Sequence, residues 1–554
     1  MENELVFVPL GGVGEIGMNL GLYGFGPPKD RRWLMVDCGV TFGDAAETPG
    51  IDLILPDIRF IESQKKNLVG LVLTHAHEDH FGAVIDLLPR LNVPVIATPF
   101  TAALLEAKAL GERNSIKLPI QVANPGAPFQ LGPFSIEFVR MAHSIPEANA
   151  LAIRTEAGLV VHTGDWRIDP DPMRAEGRTD RERLMQLGEE GVLAVIGDST
   201  NAVRDGFSIA EKDVAASIGE LIRTAPGRVA VTTFASHIPR IRSVAEAGQA
   251  AGREVVVVGR AMARTVEVAR ETGWLDGVGE FRSPDVYGYL PPDKALLILT
   301  GSQGEPRAAL ARIAAGDHPE ITLSKGDRLI FSSRTIPGNE RGVNRIINAL
   351  IDRGIEVITD RTHTVHVSGH PRRGEMTELY GWLKPQAVVP VHGEALHLHE
   401  HRELARRLGI PNVAKIQNGD ILRLAPGMPE IVGEAPVGRI FKDGKLLDSS
   451  EEPVRERRRL AFGGVVSIAL ALNASGEVVA DPEIAVSGLP ERDEEGETLF
   501  AIVGEVVEET LENLPRARRR DPDAVAEAVR RAVRAELKLT WGKKPLCQVL
   551  VLPV

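Results

Sequence analysis

The sequence predicts an α/β protein of several domains, and three observations carry that expectation. From about Ser208 onward, strand-like and helix-like segments alternate, which is the pattern of a parallel, doubly wound sheet. Before that point the chain runs as short apolar or β-branched stretches broken by glycine-rich turns, with few helices. The length of 554 residues allows three or four domains at roughly 150 residues each. Composition narrows the class: 43% hydrophobic and 25% charged residues suit an ordinary core-forming protein. No window approaches the roughly 18 apolar residues of a membrane span. The acidic N-terminus runs straight into a strand, so no secretory signal is expected. Two cysteines, Cys38 and Cys547, make neither a disulfide framework nor a four-thiolate metal site, and a reducing cytoplasm is the expected location. The net charge of −12 argues against a surface coated in nucleic acid but leaves room for a local basic cleft.

Taken in order, Glu4–Leu10, Trp33–Val36 and Leu71–Thr74 read as buried strands, and Phe81–Leu91 as a helix. Ser208 and Glu211 have the spacing of a capping box that opens an amphipathic helix. The alternation then continues with strands at 228–234, 254–259, 295–300, 328–332 and 356–359. Helices are expected at 237–251, 262–272, 307–315 and 339–353. The charged stretch 440–459 reads as an exposed connection. The remainder forms a small α+β domain, with strands near 465–472, 499–503 and 546–552 and an amphipathic helix at 523–537.

Gly12-Val-Gly-Glu-Ile-Gly17 follows a strand and has Asp37 downstream, as in a dinucleotide-binding fold. That motif needs a helix starting within the glycines to point its N-terminus at a pyrophosphate. The next residues contain Gly21, Gly24, Gly26 and Pro27-Pro28, and each interior glycine costs a helix about 1 kcal/mol relative to alanine. A β-hairpin fits better.

The chemistry concentrates in Thr74-His75-Ala-His77-Glu-Asp79-His80, where a strand runs into a loop and a helix. Three histidines and two carboxylates are too polar for a buried strand end unless something binds them. Imidazole and carboxylate are the donors preferred by zinc and similar divalent ions. His75 and His77 can point the same way from extended backbone, while Asp79 and His80 can face a second ion. Two-metal sites need further ligands, one of them usually a bridging carboxylate. His143, Asp165 and His392 each follow a run that reads as a buried strand. Any one of them alone would be an ordinary core or turn residue.

Together these motifs resemble the metallo-β-lactamase superfamily. The 227-residue separation of Asp165 and His392 is similar to what an inserted domain produces. Asp198-Ser-Thr-Asn201 and His366-Val-Ser-Gly-His370 resemble motifs of the β-CASP nucleases. PLGGVGEIGMN (9–19), TTFASH (232–237), GSQGEP (301–306), SSRTIPGNE (332–340) and PVHGE (390–394) resemble the bacterial ribonuclease J family over the whole chain. The resemblance implies an αββα sandwich formed by residues 1–205 and 361–440. It further implies an inserted β-CASP domain at 206–360, a linker at 441–460 and a C-terminal domain at 461–554. It implies two zinc ions, with manganese or magnesium as possible replacements. His75, His77 and His143 would hold one ion, Asp79, His80 and His392 the other, and Asp165 would bridge. His237, in TTFASH, stands where some relatives carry another polar residue.

The implied reaction is hydroxide attack on an RNA phosphodiester, giving 5′-phosphate and 3′-hydroxyl products. His370, oriented by Asp198, is the candidate acid or its helper at the leaving 3′-oxygen, although Asp198 in this sequence also suits a helix cap. His366, Val367, Ser368, Gly369 and His370 offer donors for a phosphate, as do Ser236 and His237 at a strand-to-helix junction. A pocket for a 5′-monophosphate would rationalise the 5′→3′ exonuclease activity that the family implies alongside endonuclease cleavage. The family also implies single-stranded RNA as partner, a homodimer or homotetramer assembled through the C-terminal domain (helix 523–537 being the candidate interface), and possible membership of an RNA-degradation complex. Arg240, Arg242, Arg334, Arg372 and Arg373 are candidate phosphate contacts, about half of them expected to be merely solvated. The clusters 455–459 and 516–520 read as solvated surface before RNA-binding sites. Competing readings are a small-molecule metallo-hydrolase, which would need no second domain, a DNA-directed nuclease, and a catalytically silent scaffold, against which the full donor set speaks.

Overall fold

The computed structural model describes residues 3–111, 117–336 and 338–554; Pro337, within SSRTIPGNE, lies outside them. The chain divides into two compact units, Met1–Thr41 with Leu55–Arg439, and Phe42–Ile54 with Ile440–Val554.

In the first unit, an eight-stranded and a seven-stranded sheet share one core. Leu5, Phe7, Tyr23, Leu34 and Val72 from the first sheet meet Phe134, Phe138, Leu151, Ile196 and Val389 from the second. Helices Arg181–Glu190, Arg373–Leu383 and Ala395–Arg407 cover the far face of the seven-stranded sheet through Leu184, Leu187, Met376, Leu379 and Leu404. This is the sandwich the resemblance implies. The Gly12–Gly17 segment connects two antiparallel strands, Glu4–Gly11 and Leu20–Gly26, so it is the loop of a hairpin and not a dinucleotide motif. The expected helix at 81–91 is split into Glu78–Phe81 and Val84–Leu91.

The doubly wound segment forms a five-stranded, wholly parallel sheet in the order Glu254–Val258, Ala295–Leu299, Val229–Thr232, Arg328–Phe331, Glu356–Ile358. Alternating apolar strands and amphipathic helices fold this way because each crossover helix buries its apolar face on the sheet. The Ser208–Glu211 capping box is absent. Helix Glu211–Thr224 begins at Glu211 and has no side-chain cap. Ser208 Oγ instead donates to Glu375 Oε2 at 2.9 Å, and Glu211 is buried in an ion pair with Arg240. A buried charge pair outweighs a local cap.

Arg240 is completely buried. It donates to Glu211 at 2.6 and 3.0 Å, to the Val365 carbonyl at 2.9 Å and to Ser332 Oγ. Burial opposes ionisation of Glu211, yet Arg240, His237 and Arg167 hold its carboxyl down at about 2. Because this folded-state value lies below the usual carboxylate range, the stabilisation is fully present above pH 4.5 and is lost as pH falls toward 2. Glu211→Gln leaves Arg240 buried without its counter-charge and should cost about 3–5 kcal/mol at neutral pH. Urea unfolding from pH 7 to pH 3 checks this: the gap between wild type and variant should narrow toward acid.

In the second unit, strand Val465–Leu472 pairs antiparallel with Glu483–Ser487 and parallel with Leu546–Pro553. Helices Leu499–Asn513 and Pro522–Trp541 pack on that sheet. Residues 499–503, expected as a strand, begin the first of these helices. Thr498 caps it by accepting from the Ala501 amide at 3.2 Å, and Leu499, Ile502, Val503, Val507 and Leu511 supply a helical apolar stripe. The stripe Val525, Val529, Val533 and Leu537 of the second helix is buried within this unit's own core. The segment 441–460 is largely exposed, as expected, but carries structure. Arg439–Asp443 and Leu446–Asp448 form a hairpin, and Glu452–Gly463 is helical. Residues 42–54, expected with the first domain, belong to this unit: the Asp52 amide donates to the Lys442 carbonyl at 2.9 Å, and Asp52 Oδ2 accepts from the Gly444 amide at 2.8 Å.

Candidate metal centre and its surroundings

One edge of the two facing sheets gathers the polar residues. His75 comes shortly after strand Leu68–Val72, His143 after Phe134–Arg140, Asp165 after Gly158–His162, and His392 directly after Ala387–Val391. Asp198 ends strand Val192–Asp198. Strand ends are where a buried sheet must release its chain into loops, so side chains there can be polar without breaking the ladder.

The structure brings all seven expected ligands together in two overlapping groups. His75, His77, His143 and Asp165 form one; Asp79, His80, Asp165 and His392 form the other. Asp165 is common to both, and within each group the candidate donor atoms lie within 4.8 Å of one another. A third such group, Asp165, Asp198, His370 and His392, brings the acid candidate to the same place.

Hydrogen bonds around the rings decide which nitrogens face inward. Nδ1–H of His80 donates to Asp37 Oδ2 at 2.7 Å, that of His143 to the Gly369 carbonyl at 2.6 Å, and that of His392 to Asn19 Oδ1 at 2.9 Å. The Thr74 hydroxyl donates to Asp37 and thereby accepts from His75 Nδ1 at 3.0 Å. With these Nδ1 atoms engaged, the Nε2 atoms of His75, His143 and His392 point inward beside that of His80, which Asn19 Nδ2 also meets at 3.1 Å; such outer contacts are what fix imidazole ligands. His77 presents Nδ1 instead, 3.0 Å from both His75 Nε2 and His143 Nε2. Facing nitrogens at that spacing suit a shared cation. Among the described residues, buried Asp165 Oδ1 and His392 Nε2 lack hydrogen-bond partners, although Asp165 Oδ1 is only 3.2 Å from His80 Nε2. Orphaned buried donors and acceptors of this kind fit a divalent ion.

The electrostatics divide the rings. Burial pulls His75 and His143 well below the usual histidine range and His77 down to about 4, so all three are neutral bases. His80 runs the other way: burial lowers it, but Asp165, Asp79 and Asp37 hold it well above. Against its own burial, Asp165 is kept ionised by His392, His80 and His370.

His370 donates Nδ1–H to Asp198 Oδ2 at 2.8 Å, which leaves Nε2 as its other nitrogen, with no hydrogen bond to the described residues. Burial opposes the charge, but Asp198 and Asp165 raise this imidazole to about 9. Ser368 Oγ accepts from Asn201 Nδ2 at 2.8 Å and from the His370 amide at 3.3 Å. Gly369 has to be glycine, because an added Cβ would stand 2.5 Å from the His143 ring. Val367 is buried, and His366 keeps a buried Nδ1 without a partner. His237 caps helix Ile238–Ala250 by accepting from the Arg240 amide at 3.3 Å, with Ser236 half-buried just before it. Of the five arginines, Arg240 is committed to Glu211, Arg373 to Asp205 and Glu400, and Arg242 to Glu246, while Arg334 is exposed and Arg372 half-buried.

Sequence reasoning missed Asn19, and it noticed Asp37 only as part of the discarded dinucleotide pattern. Asp37 and His392 both take positive φ (60° and 51°), a conformation uncommon outside glycine that turns each chain sharply at its strand end. Asn19 offers no local signal, since its partner His392 is far along the chain.

Comparison with known proteins places this geometry among relatives. The family model "Ribonuclease J, beta-CASP domain" matches residues 226–350, and "Ribonuclease J C-terminal domain" matches 453–554. "Zn-dependent metallo-hydrolase RNA specificity domain" matches 354–414, and "Metallo-beta-lactamase superfamily" matches 25–169. The chain is 53% identical to Ribonuclease J of Sinorhizobium meliloti, over 100% of this chain and 98% of that one. It is 38% identical to Ribonuclease J of Mycobacterium tuberculosis (98% and 96% covered) and 35% identical to that of Thermus thermophilus (100% and 95%). A solved protein of unknown function from Enterococcus faecalis V583 shares the fold at 16% identity and a TM-score of 0.53, covering 76% of this chain and 100% of that one.

Proposed function

Because the chain belongs to the ribonuclease J family and is a metal-dependent ribonuclease, we propose that it degrades and matures rRNA and mRNA as a 5′→3′ exonuclease preferring 5′-monophosphate ends, with additional endonuclease activity. The observation that carries this reading is the 2.6 Å hydrogen bond from His143 Nδ1 to the Gly369 carbonyl. It ties the phosphate-donor segment His366–His370 directly to a metal-centre histidine. A phosphate held there stands at a fixed distance from the scissile position, so the enzyme counts from the end of the strand.

Two zinc ions are the proposed complement, with manganese or magnesium as substitutes; His75, His77 and His143 would hold one, Asp79, His80 and His392 the other, and Asp165, common to both groups, would serve each. When bound, such ions lower the pKa of a water toward neutrality and neutralise charge on the phosphoryl oxygens. The protein's own part is the leaving group. His370 Nε2 gives its proton to the 3′-oxygen as the P–O bond breaks, and Asp198 holds the ring through Nδ1. The water oxygen becomes part of the 5′-phosphate, and the other product ends in a 3′-hydroxyl. Ser236, His237 and His366–His370 line the phosphate-binding region. RNA is favoured over DNA by the match to an RNA specificity domain at 354–414. The proposed setting is cytoplasmic, as a homodimer or homotetramer through the C-terminal domain, with possible membership of an RNA-degradation complex.

The test compares 5′-monophosphate and 5′-triphosphate versions of one labelled RNA with metal-loaded protein. Mononucleotides should be released from the first alone; equal release from both would remove the end preference.

An acidic protein must hold its polyanion through a local channel. Arg334 is the exposed candidate, whereas Arg240 serves the fold. Arg334→Ala should lessen the slope of log affinity against log salt by about 0.7 for single-stranded RNA and weaken all sequences alike. An unchanged slope in a binding titration would place the contact elsewhere.

A further inference from the structure

Behind the loop that carries Asp198 lies a buried polar cluster that the proposed reaction leaves unused. His401, on helix Ala395–Arg407, is completely buried. Its Nδ1 is 2.8 Å from Ser199 Oγ, and its Nε2 meets the hydroxyl of Tyr380 from helix Arg373–Leu383. Burial, opposed by nearby Asp198, takes the imidazole down to about 4, so it is neutral with one donor and one acceptor. One arrangement satisfies every group. Tyr380 donates to Nε2, Nδ1–H donates to Ser199 Oγ, and the Ser199 hydroxyl donates to the Gly197 carbonyl, 3.5 Å away. The ring lies close to the backbone of Gly197, where an added Cβ would be 3.3 Å from His401 Cε1 and 3.4 Å from the Tyr380 oxygen.

A buried histidine satisfied by two neighbours is ordinarily part of the packing. Here, however, the chain of hydrogen bonds ends on the backbone that assembles the site. Asp198 holds His370 at 2.8 Å. Thr200 Oγ1 donates to the His392 carbonyl at 3.2 Å. Asn201 Nδ2 donates to Ser368 Oγ at 2.8 Å and to the His370 carbonyl at 3.0 Å. These side-chain contacts of Asp198, Thr200 and Asn201 reach the acid, a metal-centre histidine and the phosphate segment; the Asp198 amide is tied to Thr163 Oγ1 at 3.2 Å, and Ser199 anchors the following residues on the opposite side.

We propose that His401 is a positioning residue for the leaving-group acid, fixing the Asp198–Asn201 loop through Ser199 and thereby the imidazole of His370. The role rests on the reading of His370 as the proton donor. An imidazole that has drifted by about an ångström from the leaving oxygen transfers its proton poorly, while attack at phosphorus is untouched; misplacement on that scale costs about 10²-fold.

The test uses full-length, metal-loaded protein and two RNAs of one sequence. One has the normal 3′-oxygen at the scissile linkage, and the other has a 3′-sulfur, which leaves as thiolate without a proton. His401→Leu should slow single-turnover cleavage of the oxygen linkage by about 10²-fold, with metal content and RNA affinity unchanged, and leave cleavage of the sulfur linkage near the wild-type rate. His401→Asn, whose amide can donate to Ser199 from the place of Nδ1, should recover most of the loss. Ser199→Ala removes only the hydroxyl and should reproduce the oxygen-selective defect even if His401→Leu fails to fold. No slowing, or equal slowing of both linkages, in the His401 and Ser199 variants overturns the proposal. His370→Ala separates the two readings. If it slows both linkages alike, the acid assignment fails and the positioning role with it; if it alone is oxygen-selective, only the positioning role fails.

Discussion

Protein in which His77 is replaced by alanine should cleave RNA at least about 10⁴-fold more slowly than the wild type, the scale expected when a member of a catalytic unit is removed. His77 Nδ1 stands 3.0 Å from the Nε2 atoms of His75 and His143, so its loss leaves that group without its middle donor. The ring is half-buried at the rim of the sandwich, not in either sheet's core, so the fold should survive and circular dichroism should be unchanged. Elemental analysis should find up to two zinc or manganese ions per wild-type chain and fewer in the variant. Metal-free protein that cuts RNA at the normal rate would remove the metal centre from the reaction.

His370→Ala should reduce the chemical step by about 10²–10⁴-fold, the usual contribution of a general acid, with metal content unchanged. The pairing of Nδ1 with Asp198 leaves Nε2 as the only nitrogen able to reach a leaving oxygen. Asp198→Asn should cause a smaller loss, since an amide still accepts from Nδ1–H but does not support the imidazolium. A single-turnover rate unaffected by either change would give His370 another task.

Much of this was legible because the chemistry sits where the sequence is least able to hide it. A histidine or aspartate after an apolar β-run is ordinary by itself, but several of them beside the His75–His80 cluster are not. His75, His143, Asp165 and His392 all have that signature, and the structure places them together. Their supports were not legible. Asn19 and His392, or Asp37 and His80, meet only after the sheets have assembled, and neither asparagine nor aspartate is unusual beside glycine. The errors share one cause, which is local reading where a distant partner decides. Ser208 and Glu211 match a capping box, but Glu375 and Arg240 claim them. Arg240 looks like a phosphate contact until its burial is known. Leu499–Val503 resembles a strand only if the apolar period is not followed to Val507 and Leu511.

The order of the chain has a consequence for how a cell makes this nuclease. The seven-stranded sheet takes one of its strands, Ala387–Val391, from beyond the whole inserted domain, and His392 follows at once. A ribosome synthesising the protein therefore releases His75, His77, Asp79, His80, His143 and Asp165 long before the residue that completes the second group. The nascent chain is attached to the very class of molecule the finished enzyme destroys. Until residues 370 and 392 have been made it lacks His370 and holds an incomplete cluster. Domains emerge in order from the N-terminus, and long-range strand pairing is slow to form. Splitting the sandwich around an insertion thus leaves a product that terminates before His370 without the acid candidate and without the last member of the second group.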